Sequence, residues 1–411
     1  MDNFYKIPSV TQQLFENKVE LLPSVTELFE LELAYLEYKT LNSADYIERA
    51  AYAKSFDGKE TLHFLRYSEI SEEVSKNRTS IANSYFKSGL FSTGYATHSL
   101  FPYRGKFHPQ LIKGLINILG IKKGETILDP MAGSGTTNIE AALMGINSYA
   151  IDISPFCQLM IKTKYDALKI NIDLLNSIEF DTNKLFLYFG QKDILHKIAN
   201  IETGKKELYE LALLAYLDAL GYSKRVVRSN HEQLFTKVLN RYLETVKSLL
   251  TNPYFNNKKL GNVTILQNSN ALNIKLPDNS IDGIITSPPY SFAIDYVEND
   301  KDQLEYLGYN TEKLKSQLIG LKGKTKAEKL EIYFNDMDKF LSEAARVLKK
   351  DKYLVVIIGS NTNQTGGVRL EQSVINSAKT HNIELVKSIL KPIKGMRNTM
   401  KEEYILIFER K

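Results

Sequence analysis

A short stretch, ETILDPMAGSGTT, from Glu125 to Thr137, constrains the fold of this chain most. An apolar strand ends there at Asp129 and leads into a turn that contains Gly133 and Gly135, and a helix follows. Because glycine lacks a Cβ, such a turn lets a ligand approach the backbone amides at the start of a helix. The stretch therefore predicts the opening of an α/β fold with a ligand beside the turn.

Strands and helices alternate along two separate parts of the chain. A second strand candidate, SYAIDIS, follows the first helix. Three more strand candidates come much later in the chain: GNVTILQNS, SIDGIITSPPY and YLVVIIGS. The helix DMDKFLSEAARVLKK precedes the last of these three. This alternation predicts a mainly parallel, doubly wound sheet. The final candidates, IELVKSILKPI and EEYILIFER, have no helix between them, so we expect an antiparallel last strand.

Helical patterns precede the first strand and separate the two α/β parts. We therefore divide the chain into four regions. They are a helical N-terminal region (1–105), the first part of a catalytic domain (106–165), a helical insertion (166–260) and the second part of the catalytic domain (261–411).

Composition limits the classes of protein to consider. Of the 411 residues, 43% are hydrophobic and 25% are charged, as in ordinary soluble proteins. Cys157 is the only cysteine, which excludes an intrachain disulfide or a Cys-rich zinc site, and we expect no metal. We find neither a signal peptide nor a long apolar run, and expect a cytoplasmic protein without membrane contact. The net charge of +5 suits nucleic acid and many other partners.

Asp152 ends the second strand, roughly twenty residues after the turn, where a carboxylate can accept hydrogen bonds from both hydroxyls of a ribose. The turn has neither the three-glycine dinucleotide fingerprint nor a Gly-Lys-Ser/Thr sequence for phosphates. A nucleoside ligand without a pyrophosphate therefore fits best. The alternative at this point is a sharp connection between strand and helix with a satisfied acid beside it.

DPMAGSGTT followed by SPPY resembles the motif pair of S-adenosylmethionine-dependent DNA amino-methyltransferases, which methylate N4 of cytosine or N6 of adenine. FHPQLI resembles their first cofactor motif. The resemblance covers about 106–164 and 261–411 and implies a Rossmann-like methyltransferase fold, S-adenosyl-L-methionine as the cofactor and double-stranded DNA as a partner. Asn270 stands where the family often has an acidic residue. The cofactor-binding residues that the resemblance implies are His108, Pro109, Asp129, Pro130, Ala132, Gly133, Gly135, Thr136, Thr137, Asp152 and Asn270.

The SPPY block supplies the catalytic candidates Ser287, Pro288, Pro289 and Tyr290. An exocyclic amine is a poor nucleophile, and hydrogen bonds that it donates to Ser287 and to the Pro288 carbonyl would stabilise its developing positive charge. Tyr290 could stack on a flipped-out base. Direct transfer needs no enzyme nucleophile. Methylation at C5 of cytosine would use a cysteine nucleophile in a Pro-Cys setting, whereas Cys157 lies in SPFCQ. The alternative is a strand stopped by prolines, with a tyrosine in the core.

Two basic segments are candidate contacts for DNA phosphates, with solvated faces as the alternative. Their residues are Tyr222, Lys224, Arg225 and Arg228 in one segment, and Lys394 and Arg397 in the other. Asp295 and Tyr296 follow the SPPY block and either cover the flipped base or lie on a solvated helix. We expect the basic loop GLKGKTKAEK, residues 320–329, to be only solvated.

These features favour a DNA methyltransferase specific for N4 of cytosine, with N6 of adenine as the runner-up. The insertion, 166–260, is expected to read the DNA sequence. A cognate restriction nuclease or another defence component is a further partner that the resemblance implies. Methylation of RNA or of a protein amide, and a DNA-binding subunit without activity, remain as alternatives.

Overall fold

The structure is a computed structural model that describes residues 8–67, 94–103, 105–177, 181–225, 230–255, 259–289, 295–320, 322–359, 365, 367–393 and 402–411. The strands are β1 (Val19–Leu21), β2 (Ala53–Phe56), β3 (Lys59–Glu60), β4 (Thr126–Asp129), β5 (Asn147–Ala150), β6 (Val263–Ile265), β7 (Ile281–Thr286), β8 (Leu348–Gly359), β9 (Ile383–Pro392) and β10 (Glu402–Arg410).

The helices fall into three groups along the chain. Before β4 they are α1 (Val10–Leu14), α2 (Leu28–Thr40), α3 (Ser43–Arg49), α4 (Leu62–Tyr67), a 3₁₀ helix (Ala96–Ser99) and α5 (Pro109–Ile118). Between β4 and β6 they are α6 (Thr136–Leu143), α7 (Pro155–Ala167), α8 (Ile172–Ser177), α9 (Thr182–Phe189), α10 (Ile194–Ala199), α11 (Lys205–Arg225) and α12 (His231–Thr251). After β7 they are α13 (Tyr296–Asn299), α14 (Lys301–Tyr306), α15 (Thr311–Lys315), α16 (Lys326–Val347) and α17 (Leu370–Thr380).

A seven-stranded sheet with the order β6-β5-β4-β7-β8-β10-β9 forms the centre of the molecule. β4, β5, β6, β7 and β8 are parallel to one another, whereas β10 lies between β8 and β9 and is antiparallel to both. The predicted α/β class and the predicted antiparallel last strand are therefore confirmed. Since parallel strands point the same way, the carboxyl ends of β4, β5 and β7 meet at one edge of the sheet.

Alternate residues of the central strands enter the cores on opposite faces of the sheet. Ile127 of β4 packs on one face with α2 and α5, whereas Leu128 packs on the other face with α16 and α17. β7 is buried along its whole length, as expected for a strand covered by helices on both faces. This two-sided burial fixes the strand ends that face the functional site.

The N-terminal region contains a three-stranded antiparallel sheet, β1-β2-β3, in addition to the predicted helices. These strands are only two to four residues long, too short for a clear alternating pattern in the sequence. The region is joined to α5 by a buried network: Asn117 donates to Glu37 at 2.5 Å and accepts from Arg49 at 2.5 Å. The N-terminal region therefore helps to hold the helix that precedes β4.

The predicted helical stretch between the two α/β parts contains helices α7 to α12, which connect β5 to β6. Its core is continuous with the catalytic part, because Phe156 and Met160 of α7 belong to the same buried cluster as Leu211 of α11 and Phe235 of α12. Within the part of the chain that the structure describes, we find no helix with the length and hydropathy required to span a bilayer.

Candidate functional site

A cavity of about 320 Å³ lies at the carboxyl edge of the sheet. One side is formed by the segments that follow β4 and β5, including Gly133 and Asp152, and the segment after β7 contributes Ser287 and Pro289. Residues after the SPPY block, among them Leu318, complete the lining. The fold thus brings together motifs that are far apart in the sequence, at the edge where open α/β sheets bind ligands.

The glycine turn takes a backbone conformation that favours glycine. Gly133 and Gly135 have φ values of +50° and +78°. A Cβ on Gly135 would lie 2.7 Å from Cγ1 of Ile161, so a side chain there would collide with α7. Gly135 is also the N-cap residue of α6. Both positions of the turn therefore favour glycine, and Gly133 lines the cavity just before the start of α6.

Asp152 is anchored to the glycine turn. One of its carboxylate oxygens accepts a hydrogen bond from the Gly133 amide at 2.8 Å, and the other accepts from the Ser154 amide at 2.8 Å. Burial raises the pKa of this carboxyl to about 6, although both amides oppose the shift. Each oxygen retains a lone pair for another donor, such as a ligand hydroxyl.

Asp129 lies beneath the turn, and among the described residues it does not line the cavity. Its Oδ1 accepts hydrogen bonds from the Thr286 hydroxyl at 2.8 Å and from the Met131 amide at 3.2 Å. Burial raises the pKa of Asp129 to about 6, although hydrogen bonds from the hydroxyls of Thr137 and Thr286 act to lower it. Because Thr286 ends β7, Asp129 connects the glycine turn with the start of the SPPY block.

The SPPY block enters the cavity directly after β7. Ser287 and Pro289 line the cavity, whereas Pro288 is buried beside it. Tyr290 lies outside the described residues, so its predicted stacking role stays a prediction. The two prolines follow the buried strand where β7 ends, so the strand fixes where their backbone begins.

The remaining predicted cofactor residues divide into two groups. Pro130, Ala132, Thr136 and Asn270 line the cavity. Asn270 also stabilises its own turn, because its Oδ1 accepts from the Leu272 amide at 2.9 Å. Of the described residues, those predicted to bind the cofactor but placed outside the lining are His108, Pro109, Asp129, Gly135 and Thr137.

His108 caps the backbone of α5, and Pro109 is the first residue of that helix. Burial, with a smaller effect of Lys391, lowers the pKa of His108 to about 4, which keeps its imidazole neutral at physiological pH. The residues just before it, Lys106 and Phe107, line the cavity instead. Of the motif FHPQLI, the first residue, Phe107, therefore lines the cavity, whereas His108 and Pro109 do not.

Several residues that line the cavity were not among the predicted cofactor-binding or catalytic residues. Tyr103 lies beside the glycine turn, since a Cβ on Gly133 would be 3.4 Å from its ring. Its hydroxyl lies 3.5 Å from the sulfur of Cys157, which also lines the cavity. Further along the chain, Asp300 and Leu314 line the cavity as well. Tyr296, which the sequence analysis named as a residue that could cover a flipped base or lie on a solvated helix, also lines it. No local motif marks these residues, because packing between distant segments brings them to the site.

The predicted DNA contacts are only partly described. Tyr222 is 51% exposed, and the Lys224 ammonium forms an ion pair with Asp302 at 3.1 Å. The side chain of Arg225, and all of Arg228, Lys394 and Arg397, lie outside the described residues. Of the predicted DNA contacts whose side chains the structure describes, Lys224 has its charge partly balanced by Asp302, and Tyr222 has an exposed ring.

Two family models match this chain. One, described as DNA methylase (N6_N4_Mtase), matches residues 30–162 and 281–411. The other, the RMKL-like methyltransferase domain, matches residues 99–306. Both matches include the glycine turn, Asp152 and the SPPY block.

Three relatives are similar to this chain. It is 29% identical to the type II methyltransferase M.BsoBI of Geobacillus stearothermophilus over 58% of this chain and 59% of that protein. It is 43% identical to M.MjaII of Methanocaldococcus jannaschii over 21% of this chain and 17% of that protein. With M.MvaI of Kocuria varians the identity is 22%, over 80% of this chain and 90% of that protein. The chain thus spans less than two thirds of the first two relatives.

Proposed function

This chain belongs to the DNA methylase (N6_N4_Mtase) family, whose cofactor is S-adenosyl-L-methionine, and we propose from that membership that it methylates the N4 amine of cytosine in DNA. The single observation that carries the proposal is the cavity at the carboxyl edge of the sheet, where the glycine turn, Asp152, Ser287 and Pro289 meet. A cofactor and a base could bind side by side there, which direct transfer between two bound reactants requires.

The residues of the cavity fit S-adenosyl-L-methionine. The absence of a side chain at Gly133 lets a ligand approach the backbone, and the Asp152 carboxylate can accept the hydroxyl hydrogens of a ribose. Ile153 and Leu272 supply apolar surface for an adenine ring. When bound, the cofactor supplies an electrophilic methyl group on a positively charged sulfur.

The SPPY block would orient the amine that accepts the methyl group. The Ser287 hydroxyl and the backbone carbonyls of the two prolines can accept hydrogen bonds from an exocyclic NH₂ and stabilise the positive charge that develops on its nitrogen. Tyr290 would stack on the base after it leaves the duplex, a contact worth roughly 1–3 kcal/mol. No covalent link to the protein is needed.

N4 of cytosine is the favoured target because the block reads SPPY within the family resemblance. N6 of adenine is the runner-up, since both are exocyclic amines and the same hydrogen bonds serve either. The match to an RMKL-like methyltransferase domain supports a weaker candidate, methylation of RNA, which the same experiment tests. The remaining alternatives, a protein amide substrate and an inactive DNA-binding subunit, predict no methylated nucleoside.

The helical insertion is the proposed reader of the DNA sequence. It carries the exposed ring of Tyr222 and follows β5, whose end lines the cavity. The relatives M.BsoBI and M.MvaI are named type II methyltransferases. A cognate restriction nuclease is therefore a proposed partner in the cell.

The proposal is tested by incubating the protein with S-adenosyl-L-methionine that carries a deuterated methyl group and with mixed-sequence genomic DNA. The nucleosides are then separated and identified by mass spectrometry. We expect label in N4-methylcytosine. Label in N6-methyladenine would select the runner-up, whereas label only in RNA or protein offered in parallel, or no label, would contradict DNA methylation. A Tyr290→Ala variant should bind the cofactor in calorimetry and fail to methylate.

A further inference from the structure

The outer wall of the cavity is part of a strongly basic segment. Residues 311–329 contain six lysines and two glutamates, a net charge of +4, whereas the whole chain carries only +5. Leu314, Gln317, Leu318, Ile319 and Lys322 of this segment line the cavity. One segment therefore combines an apolar wall with a concentration of positive charge at the place where a target base would enter.

Two of the six lysines have acidic partners. The Lys315 ammonium lies 2.8 Å from Glu298, and the Lys322 ammonium lies 2.8 Å from the buried Asp336. The four others make no ion pair within the part of the chain that the structure describes. We call them the lysine rim: Lys313, Lys324, Lys326 and Lys329.

The lysine rim is carried on an ordered turn and two helices. Gly323 has a φ of +112°, and a Cβ there would lie 3.0 Å from the Lys329 amide. Thr325 begins α16 with a capping box, in which Glu328 accepts from the Thr325 amide and donates its own amide to the Thr325 hydroxyl. The same carboxylate accepts from the Lys324 amide at 2.8 Å. The backbone positions of three rim lysines are therefore fixed relative to the cavity wall.

We propose that the lysine rim binds the phosphates of the DNA strand beside the nucleotide whose base enters the cavity. This inference rests on the proposed function and adds the surface that holds the substrate. Lysines without acidic partners can neutralise phosphates at little cost, and such contacts fix position without reading sequence. Lys224, which is already paired with Asp302, would contribute less.

The apolar residues between the rim lysines could contact the base itself. Leu314, Leu318 and Ile319 offer surface to a base that has left the stack, while the lysines on either side hold its backbone. Flipping costs a few kcal/mol, roughly, and contacts to both the base and its phosphates recover that cost. DNA is favoured over RNA as the partner because the family model is that of a DNA methylase.

The test compares two variants with equal changes in charge. In the first, all four rim lysines are replaced by glutamine. In the control, glutamine replaces four other exposed lysines that form no ion pair in the described part of the chain: Lys59, Lys122, Lys350 and Lys379. Lys122 and Lys350 lie at the amino edge of the sheet, next to the starts of β4 and β8.

Binding of a fluorescein-labelled, mixed-sequence DNA duplex is measured by anisotropy at increasing salt concentrations. Each lysine that contacts a phosphate contributes about 0.9 to the slope of log K against log salt. We expect the rim variant to lose about 2 to 4 from this slope and the control variant less than about 1. Thermal melting and cofactor calorimetry on both variants show whether each one is folded.

Equal slopes for the rim and control variants would overturn the inference while leaving the proposed function intact, provided that the wild-type protein methylates DNA. Failure of the wild-type protein to methylate DNA would instead overturn the proposed function. A rim-dependent slope with a labelled single-stranded RNA, but not with the duplex, would replace DNA by RNA as the partner. With genomic DNA as substrate, the rim variant should show a raised KM and a kcat close to that of the wild type.

Discussion

The two ends of the cavity are built in different ways. At the end proposed to bind the cofactor, Gly133 and Asp152 are joined by a hydrogen bond between the backbone and a carboxylate, and Asp129 connects the turn to β7 from below. At the end proposed to bind the target, Leu314 and Leu318 form an apolar wall. A polar and tightly bonded end suits one constant ligand, whereas an apolar wall suits a base that enters and leaves.

The charges at the two ends also differ in sign. Two carboxylates with raised pKa values lie at or beneath the cofactor end, and the lysine rim lies beside the target end. A ribose and a sulfonium are compatible with carboxylates, while a phosphate backbone would be repelled by them. The cavity is therefore expected to bind cofactor and nucleic acid in one orientation, and four predictions test this comparison.

The largest effect is expected for Asp152→Asn. The change removes a charged acceptor that bonds to the Gly133 amide, and hydrogen bonds to charged groups contribute about 1.5–3 kcal/mol each. Cofactor affinity should fall on the order of 1,000-fold by calorimetry. Asp351→Asn, at an exposed position near the start of β8, is the control and should bind normally. Equal affinities for wild type and Asp152→Asn would show that this end does not bind the ribose.

Ser287→Ala should lower the rate of methylation without changing the affinity for the cofactor. Ser287 lines the cavity and in the proposed function contacts the target amine, and loss of one preorganised hydrogen-bonding group lowers kcat by about 100-fold. Cofactor affinity should not change. Ser280→Ala removes a hydroxyl that bonds to Pro277 just before β7, and it should preserve kcat. A loss of cofactor binding in Ser287→Ala, with normal kcat at saturation, would reverse the assignment.

Cofactor binding should weaken in acid. The pKa of Asp152 is raised to about 6, so its carboxylate is charged above that pH and loses its acceptor capacity below it. The affinity should fall by at most about tenfold for each pH unit below 6. A raised carboxyl pKa in the folded state means that protonation of Asp152 favours the fold, so unfolding through this residue would not explain the loss.

The Asp152→Asn variant is the control for this profile, because it lacks the Asp152 titration. Any dependence that remains would come from groups such as Asp129, whose pKa is also raised to about 6. A flat profile for the wild-type protein between about pH 8 and pH 5 would contradict the participation of the carboxylate.

The smallest effect is expected for Cys157→Ser. The thiol lines the cavity, but burial raises its pKa, and direct transfer to an amine requires no thiolate. Methylation rates should stay within about threefold of the wild type, which corresponds to less than about 1 kcal/mol. Complete loss of activity in a folded Cys157→Ser protein would indicate a covalent mechanism, which the two-ended cavity does not need.

The parts of the site that the sequence predicted are those encoded locally. Gly133, Asp152 and Ser287 each lie within about four residues of the end of a strand, and parallel strands bring such positions to one edge. The α/β class and the antiparallel β10 could be predicted for the same reason, from the alternation of strands and helices. These features depend on short stretches whose spacing along the chain is visible.

The outer wall could not be predicted in this way. Leu314 and Leu318 lie on the chain segment after the SPPY block, and they reach the cavity because α13, α14 and α15 pack on the core of the insertion. His108 was predicted to bind the cofactor, but the structure places Lys106 and Phe107 at the wall in its place. The direction of a side chain at the start of a helix depends on packing that a motif does not encode.

The position of the basic loop, residues 320–329, could not be predicted from the sequence either. Residues 320–329 were expected only to be solvated, since a run of charge is usually a solvated face. Their position next to the lining residues Ile319 and Lys322 gives them a second interpretation that the sequence alone did not carry. The charge was visible in the sequence, whereas its distance from the cavity was not.

The central claim is that one cavity holds the cofactor at Asp152 and presents it to Ser287 and Pro289. A crystal structure with S-adenosylhomocysteine tests this claim most directly. The ribose hydroxyls should lie about 2.5–3.0 Å from the Asp152 carboxylate, with the sulfur directed towards Ser287 and Pro289. A ligand bound elsewhere, or one whose sulfur points away from the SPPY block, would contradict the account.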